Sequence, residues 1–145
     1  MSRIISFRGL MAEDTQERIS LSTNQGLIGY KITKMQLIPK EPGGLSAEHI
    51  VQIFKEQQTT NASQIDFSEN RLLAAGYCSN HTGGDAYPTK QTIVFDNEIF
   101  NQDIFITHKI RNGTGSVNYY IELEQMDLAL DEATVATLKD IRNVA

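Results

Sequence analysis

The sequence has 145 residues, of which 40% are hydrophobic and 21% charged, a balance typical of a globular protein and not of a disordered one. We expect one domain over residues 1–145, since most domains contain roughly 100 to 200 residues. The formal net charge is −5 and the basic residues are scattered, which argues against a protein that binds nucleic acid directly.

The strands of the predicted fold follow one another at short intervals. Runs of alternating apolar and polar residues, separated by polar turns, predict an all-β fold with eight antiparallel strands. The first three lie at 3–9, 17–22 and 27–38. Within the third, the alternation changes face near Lys34, which predicts a β-bulge there. The stretch "PKEPGG" then ends the pairing, because proline lacks the backbone donor that a ladder needs.

The fourth segment, 49–57, fits a helix almost as well as a strand, and its β-branched content favours the strand. The remaining strands are 71–79, "TIVFD", "DIFITHKI" and "VNYYIELE". "RNGTGS" predicts a hairpin between the last two, because Asn112 and Gly113 can both adopt positive φ. Residues 131–142 change to a helical period and predict a short amphipathic helix. This helix either caps an open end of the sandwich or docks on a neighbouring subunit.

The stretch "IVFDNEIFNQDIFITHKI" concentrates acids, amides and His108 between apolar blocks. It presents two alternatives, an acidic metal or catalytic site and a pair of strands joined by a polar connection. Asx-rich turns are the commoner of the two, because Asn and Asp side chains bond to nearby backbone groups. We therefore interpret the stretch as two strands whose connection is anchored by Ile99 and Phe100. Its remaining polar side chains are expected to contact a neighbouring protein.

Candidate chemistry elsewhere is sparse. The single cysteine, Cys78, excludes a disulfide within the chain and the paired cysteines of common zinc sites, and we expect a buried thiol. His81 and Asp85 share the Gly-rich loop 80–90, but their spacing specifies no metal geometry. No nucleophile elbow, Walker A loop or EF-hand spacing occurs. The sequence therefore predicts no enzyme, no catalytic or metal-binding residue and no cofactor.

No apolar run approaches the roughly 20 residues of a transmembrane helix, so no membrane insertion is expected. The N-terminal stretch "MSRIISFRGLMAEDTQER" contains no apolar core of signal-peptide length. The sequence thus predicts a soluble protein that is synthesised in a cytosol and has no export signal of its own.

Four stretches together are similar to small virion structural proteins of marine bacteriophages: "GLIGYKITKMQLIPKEPG", "IDFSENRLLAAGYCSN", "IVFDNEIFNQDIFITHKI" and "VNYYIELEQMDL" with "ATVATLKDIRN". The resemblance covers residues 26–143 and rests on the order and texture of the segments. It implies a jelly-roll β-sandwich that is synthesised in the host cytoplasm and assembles in many copies into a virion. It carries over no catalytic residue. The predicted eight strands agree independently with a jelly roll, which packs two four-stranded sheets.

Our first functional hypothesis is a non-enzymatic capsid or capsid-associated protein, of cement or decoration type, whose partners are copies of itself and other virion proteins. The expected contact residues lie in turns and connections: Pro39, Pro42, His81, Asp85, Tyr87, Asn97, Phe100 and Asn101. An alternative is a glycan- or small-ligand-binding module that uses His81, Asp85 and Tyr87 in the 80–90 loop. A third is a small metal-dependent enzyme using His81, Asp85 and a further acid.

Overall fold

The computed structural model describes residues 3–23, 26–44, 46–80 and 91–142. Over these ranges the chain forms eight β-strands followed by one α-helix, which confirms the predicted all-β fold with a short C-terminal helix. The elements in chain order are β1 Arg3–Met11, β2 Thr15–Ile19, β3 Ile28–Pro39, β4 Ala47–Phe54, β5 Leu72–Asn80, β6 Gln91–Phe95, β7 Ile104–Arg111, β8 Val117–Asp127 and α1 Leu130–Arg142.

The strands form two antiparallel sheets, with the orders β1-β8-β3 and β2-β7-β4-β5-β6. The division into three and five strands differs from four and four, because β6 forms its backbone ladder with β5. β6 nevertheless begins beside β3, since Gln91 Nε2 donates to the Leu37 carbonyl at 2.6 Å. Further along, Tyr30 and Phe100 exchange two backbone hydrogen bonds of 2.8 and 2.9 Å. β3 and the segment 91–100 therefore lie on the same side of the sandwich.

The core fills the space between the sheets. On β8 every second residue from 117 to 123 is buried, as the alternation predicts. β4 lies in the middle of the larger sheet and is buried on both faces, since loop 55–71 covers its outer face. Gln52 holds this loop against β4 by donating hydrogen bonds to the carbonyls of Ala62 and Gln64, each at 3.2 Å. Burial on both faces explains why the sequence of β4 lacks a clear strand alternation.

The bulge predicted near Lys34 is confirmed by a register shift between Ile32 and Lys34. The hairpin predicted at "RNGTGS" is wrong, because β7 pairs with β2 and β4 whereas β8 pairs with β1 and β3. The chain turns there through Asn112 and Gly113, with φ of 53° and 155°, but it crosses from one sheet to the other. A Cβ on Gly113 would lie 1.8 Å from the Ser46 carbonyl oxygen, so this crossing requires glycine.

The helix α1 packs against its own chain. Ala133 and Ala136 form a small apolar cluster with Leu128. The buried Asn101 side chain joins the helix to the sandwich, since its Nδ2 donates to Thr137 Oγ1 at 2.8 Å and to the Gly26 carbonyl at 3.0 Å. Of the two positions that the sequence left open for the helix, packing against its own sandwich is the one observed.

Replacing Asn101 by Ala is expected to loosen α1. The change removes the two bonds and leaves the buried Gly26 carbonyl without this donor, which should lower the free energy of unfolding by about 2 kcal/mol. Hydrogen exchange of the α1 amides should accelerate more than exchange in β4. The control is Asn97→Ala, since Asn97 is exposed. Equal protection of α1 in both variants would contradict the assigned role of Asn101.

Candidate functional site

The acidic connection between β6 and β7, residues 96–103, is bonded to the rest of the chain at several points. Glu98 Oε1 accepts a hydrogen bond from Lys55 Nζ at 2.6 Å, and the Lys55 side chain is only 1% exposed. Asp103 Oδ1 accepts from the backbone amides of Leu21 and Ser22 at 2.8 and 2.9 Å. These two carboxylates hold backbone and a buried cation in place, as expected for a structural connection.

Asp103 is the most heavily bonded of these acids. Its Oδ2 accepts from Arg18 Nε at 2.7 Å and also from Arg18 Nη2. Burial by itself raises the pKa of Asp103, but the amides of Ser22 and Leu21 and the Arg18 guanidinium outweigh it and lower this pKa to about 2. The carboxylate is therefore ionised at neutral pH and ties the start of β7 to the segment that follows β2.

Some of the predicted contact residues are buried and others are exposed. Phe100 is 1% exposed and Asn101 fully buried, so their side chains pack inside the chain. Phe100 stacks on Tyr30 with 6.2 Å between ring centroids, which confirms its predicted role as an anchor. Pro39 is also buried, whereas Pro42 and Asn97 are exposed. The remaining three, His81, Asp85 and Tyr87, lie outside the described residues.

Two histidines form a buried pair inside the sandwich. His49 on β4 and His108 on β7 are at most 1% exposed, and His49 Nδ1 lies 2.9 Å from His108 Nε2. His108 Nδ1 lies 2.9 Å from the Ala12 carbonyl oxygen, which can only accept. Neutral His108 therefore carries its proton on Nδ1, and its bare Nε2 accepts the Nδ1 proton of His49. The pair links β4 and β7 to the turn between β1 and β2.

Burial keeps both rings neutral. It lowers the pKa of His49 to about 4, with a further decrease from His108 and an opposing contribution from Glu13. Burial likewise lowers the pKa of His108, against the opposing effects of the Ala12 carbonyl and Asp14. The sequence placed His108 correctly on a strand, but only the pairing of β4 with β7 brings it to His49.

The other candidate groups also occupy structural positions. Asp66 Oδ1 accepts from the amide and hydroxyl of Ser68 at 2.9 and 2.6 Å, and these bonds form an Asx turn. Cys78 is fully buried, and burial raises the pKa of its thiol. Over the described ranges, no group of three or more His, Cys, Asp or Glu residues is arranged to hold a metal ion. No helix in the part of the chain with described structure is long and apolar enough to cross a membrane.

A surface that sequence reasoning missed lies where loop 55–71 meets β6. Phe67 is 69% exposed, Val94 48% and Phe95 38%, and they line a groove of about 240 Å³ together with Asp96. We call this surface, with the adjacent Asp66, the acidic patch. The stretch "TIVFD" indicated exposed apolar residues, because three consecutive apolar residues cannot all face the core from one strand.

A second exposed surface lies on the outer strand β1, which pairs only with β8 among the described strands. Ile4, Arg8 and Leu10 are exposed on one face of β1, Ile4 to 55% and Leu10 to 45%, and Arg3 is exposed at the start of the strand. We call these four residues the basic edge. Exposed apolar surface that is rimmed by polar residues marks sites of contact with other proteins when it is large enough.

Comparison with known proteins finds structural likeness among solved structures. No protein-family model and no curated protein matches the sequence. A solved structure titled Desmodium yellow mottle tymovirus aligns with a TM-score of 0.42 and 9% sequence identity, over 88% of this chain and 82% of that chain. The neighbour is a tymovirus, so it adds nothing to the sequence resemblance to marine bacteriophage proteins.

Proposed function

We propose that this chain is a non-enzymatic structural component of a virus particle, of capsid or capsid-associated type. It acts by self-association and by contact with other virion proteins, on a β-sandwich of jelly-roll type. The observation that carries the proposal is the acidic patch, where Phe67 exposes 69% of its surface beside exposed Val94 and Phe95. A side chain this apolar gains free energy when a partner removes it from water. The sequence resemblance supplies the class of partner.

Self-association of the purified chain tests the proposal. Sedimentation velocity should show mass that increases with protein concentration, and mass spectrometry of intact particles should find the chain in many copies. The expected driving force is burial of exposed apolar surface, so association should also weaken at low temperature. A chain that stays monomeric at every concentration and is missing from particles would overturn the proposed function.

A further inference from the structure

We infer that copies of this chain associate head to tail, with the basic edge of one copy docked on the acidic patch of the next. The inference rests on the proposed function and names the two surfaces that carry the assembly. Both surfaces combine exposed apolar residues with charge, and their charges are opposite in sign. The occupant of the patch is therefore a second copy of the chain, which itself presents the complementary surface.

The charge of the basic edge is not cancelled by its neighbours on β8. The outer face of β8 presents Glu122 and Glu124 beside β1. Glu122 lies 3.9 Å from Lys34 and Glu124 lies 3.5 Å from Lys31, so both acids are paired with lysines of β3. The arginines of β1 make no ion pair with any residue in the described ranges, which leaves the edge positive.

The charge of the acidic patch is likewise uncompensated. Asp66 is exposed, and its hydrogen bonds from Ser68 lower its pKa, so it is ionised at neutral pH. Asp96 is exposed and forms no ion pair within the described part of the chain. The nearby Arg71 is bonded to both Glu69 and Glu56, so this cluster adds no positive charge. A second acidic patch would be repelled, whereas a basic surface is attracted.

The sheet orders put the two surfaces on opposite sides of the sandwich. β1 is an outer strand of the smaller sheet, and β2, which follows it directly, is an outer strand of the larger sheet. β6 is the other outer strand of the larger sheet and lies on the side of β3. Different surfaces on opposite sides give a heterologous contact, which repeats from copy to copy and builds rings or extended arrays.

Charge reversal tests this arrangement. Arg3→Glu/Arg8→Glu makes both surfaces of one chain acidic, and Asp66→Lys/Asp96→Lys makes both surfaces basic. Each variant alone should self-associate at least about tenfold more weakly than the natural chain, because like charges then face each other. An equimolar mixture of the two variants should recover association, since every contact again joins opposite charges. Added salt should weaken association of the natural chain and of the mixture.

Lys40→Glu/Arg111→Glu is the matched control for Arg3→Glu/Arg8→Glu, because it makes the same change in net charge at exposed residues outside both surfaces. Thermal unfolding checks that each variant folds, and Asp96→Lys alone replaces the double variant if loss of the Asp66 turn prevents folding. If the natural chain associates but both reversed variants associate equally well, the head-to-tail inference fails and the proposed function stands. If the natural chain does not associate at all, the head-to-tail inference fails, and the proposed function fails with it when the chain is also missing from particles.

Discussion

Acidification from about pH 7.5 to about pH 4 is expected to remove about 3 kcal/mol of stability through His49 alone. The His49 pKa falls from 6.5 to about 4 on folding, so between these values the unfolded chain binds more protons than the folded one. Its contribution is complete above pH 6.5, decreases as the pH falls towards 4, and does not change further below that. Urea unfolding at a series of pH values measures this dependence.

The variant His49→Gln isolates the histidine pair, because Gln can still donate to His108 Nε2 but does not titrate. Between pH 7.5 and pH 4, its free energy of unfolding should fall by about 3 kcal/mol less than that of the natural chain. High salt should leave this difference nearly intact, since buried groups are screened weakly. Nitrogen-15 chemical shifts should show protons on Nδ1 of both rings at neutral pH. Identical pH dependence in the two proteins would exclude the assigned pair.

Replacing Asp103 by Ala is expected to lower the free energy of unfolding by about 3 kcal/mol. The change removes the acceptor for the Leu21 and Ser22 amides, and burial prevents water from replacing it fully. The stabilisation by Asp103 has its own pH window, because its pKa falls from 3.8 to about 2 on folding. This stabilisation is present above pH 3.8 and is lost as the pH falls towards 2. The pH range in which it is lost lies below the range in which the His49 contribution is lost.

Arg18→Met is the matched control for Asp103→Ala. The Arg18 side chain is 63% exposed, so its removal breaks an ion pair at the surface but leaves the amide bonds of Asp103 in place. We expect a loss below about 1 kcal/mol, as for exposed ion pairs in general. Thermal or urea unfolding compares the variants. If Arg18→Met costs as much as Asp103→Ala, the ion pair and not the amide bonds would carry the stability.

The acidic connection shows how local composition misleads about chemistry. Acids, amides and a histidine lie within a short stretch of sequence, as they do in many active sites. In the structure their side chains bond to different places: Glu98 to Lys55 directly after β4, Asn101 to α1 and Asp103 to the segment after β2. Catalysis requires groups that converge on one point, and these diverge because each stabilises a different part of the sandwich.

Strand patterns were predictable because they depend on a local rule. Alternation of apolar and polar residues was sufficient to place the buried residues of β8 and to locate the bulge near Lys34. The helix at the C-terminus followed equally from its period. Where both faces are buried, as on β4, alternation disappears, and only residue type favoured a strand.

Pairing between distant strands was not predictable from the same rule. Asn112 and Gly113 turn the chain in either kind of connection, so their sequence did not reveal that β7 and β8 belong to different sheets. The histidine pair likewise joins residues 59 positions apart, whose proximity follows from the β4–β7 register. The sequence around His49 and around His108 gives no indication that the two side chains are in contact.

By itself, the sequence determined the all-β class, the strand positions, the bulge and the buried thiol, because alternation, turn residues and burial preference are local properties. Only the tertiary structure decided which strands pair, where the helix packs and which apolar residues stay exposed. Those features depend on contacts between residues far apart in the chain. The acidic patch and the basic edge belong to this second group, since they arise from the order of strands in the two sheets.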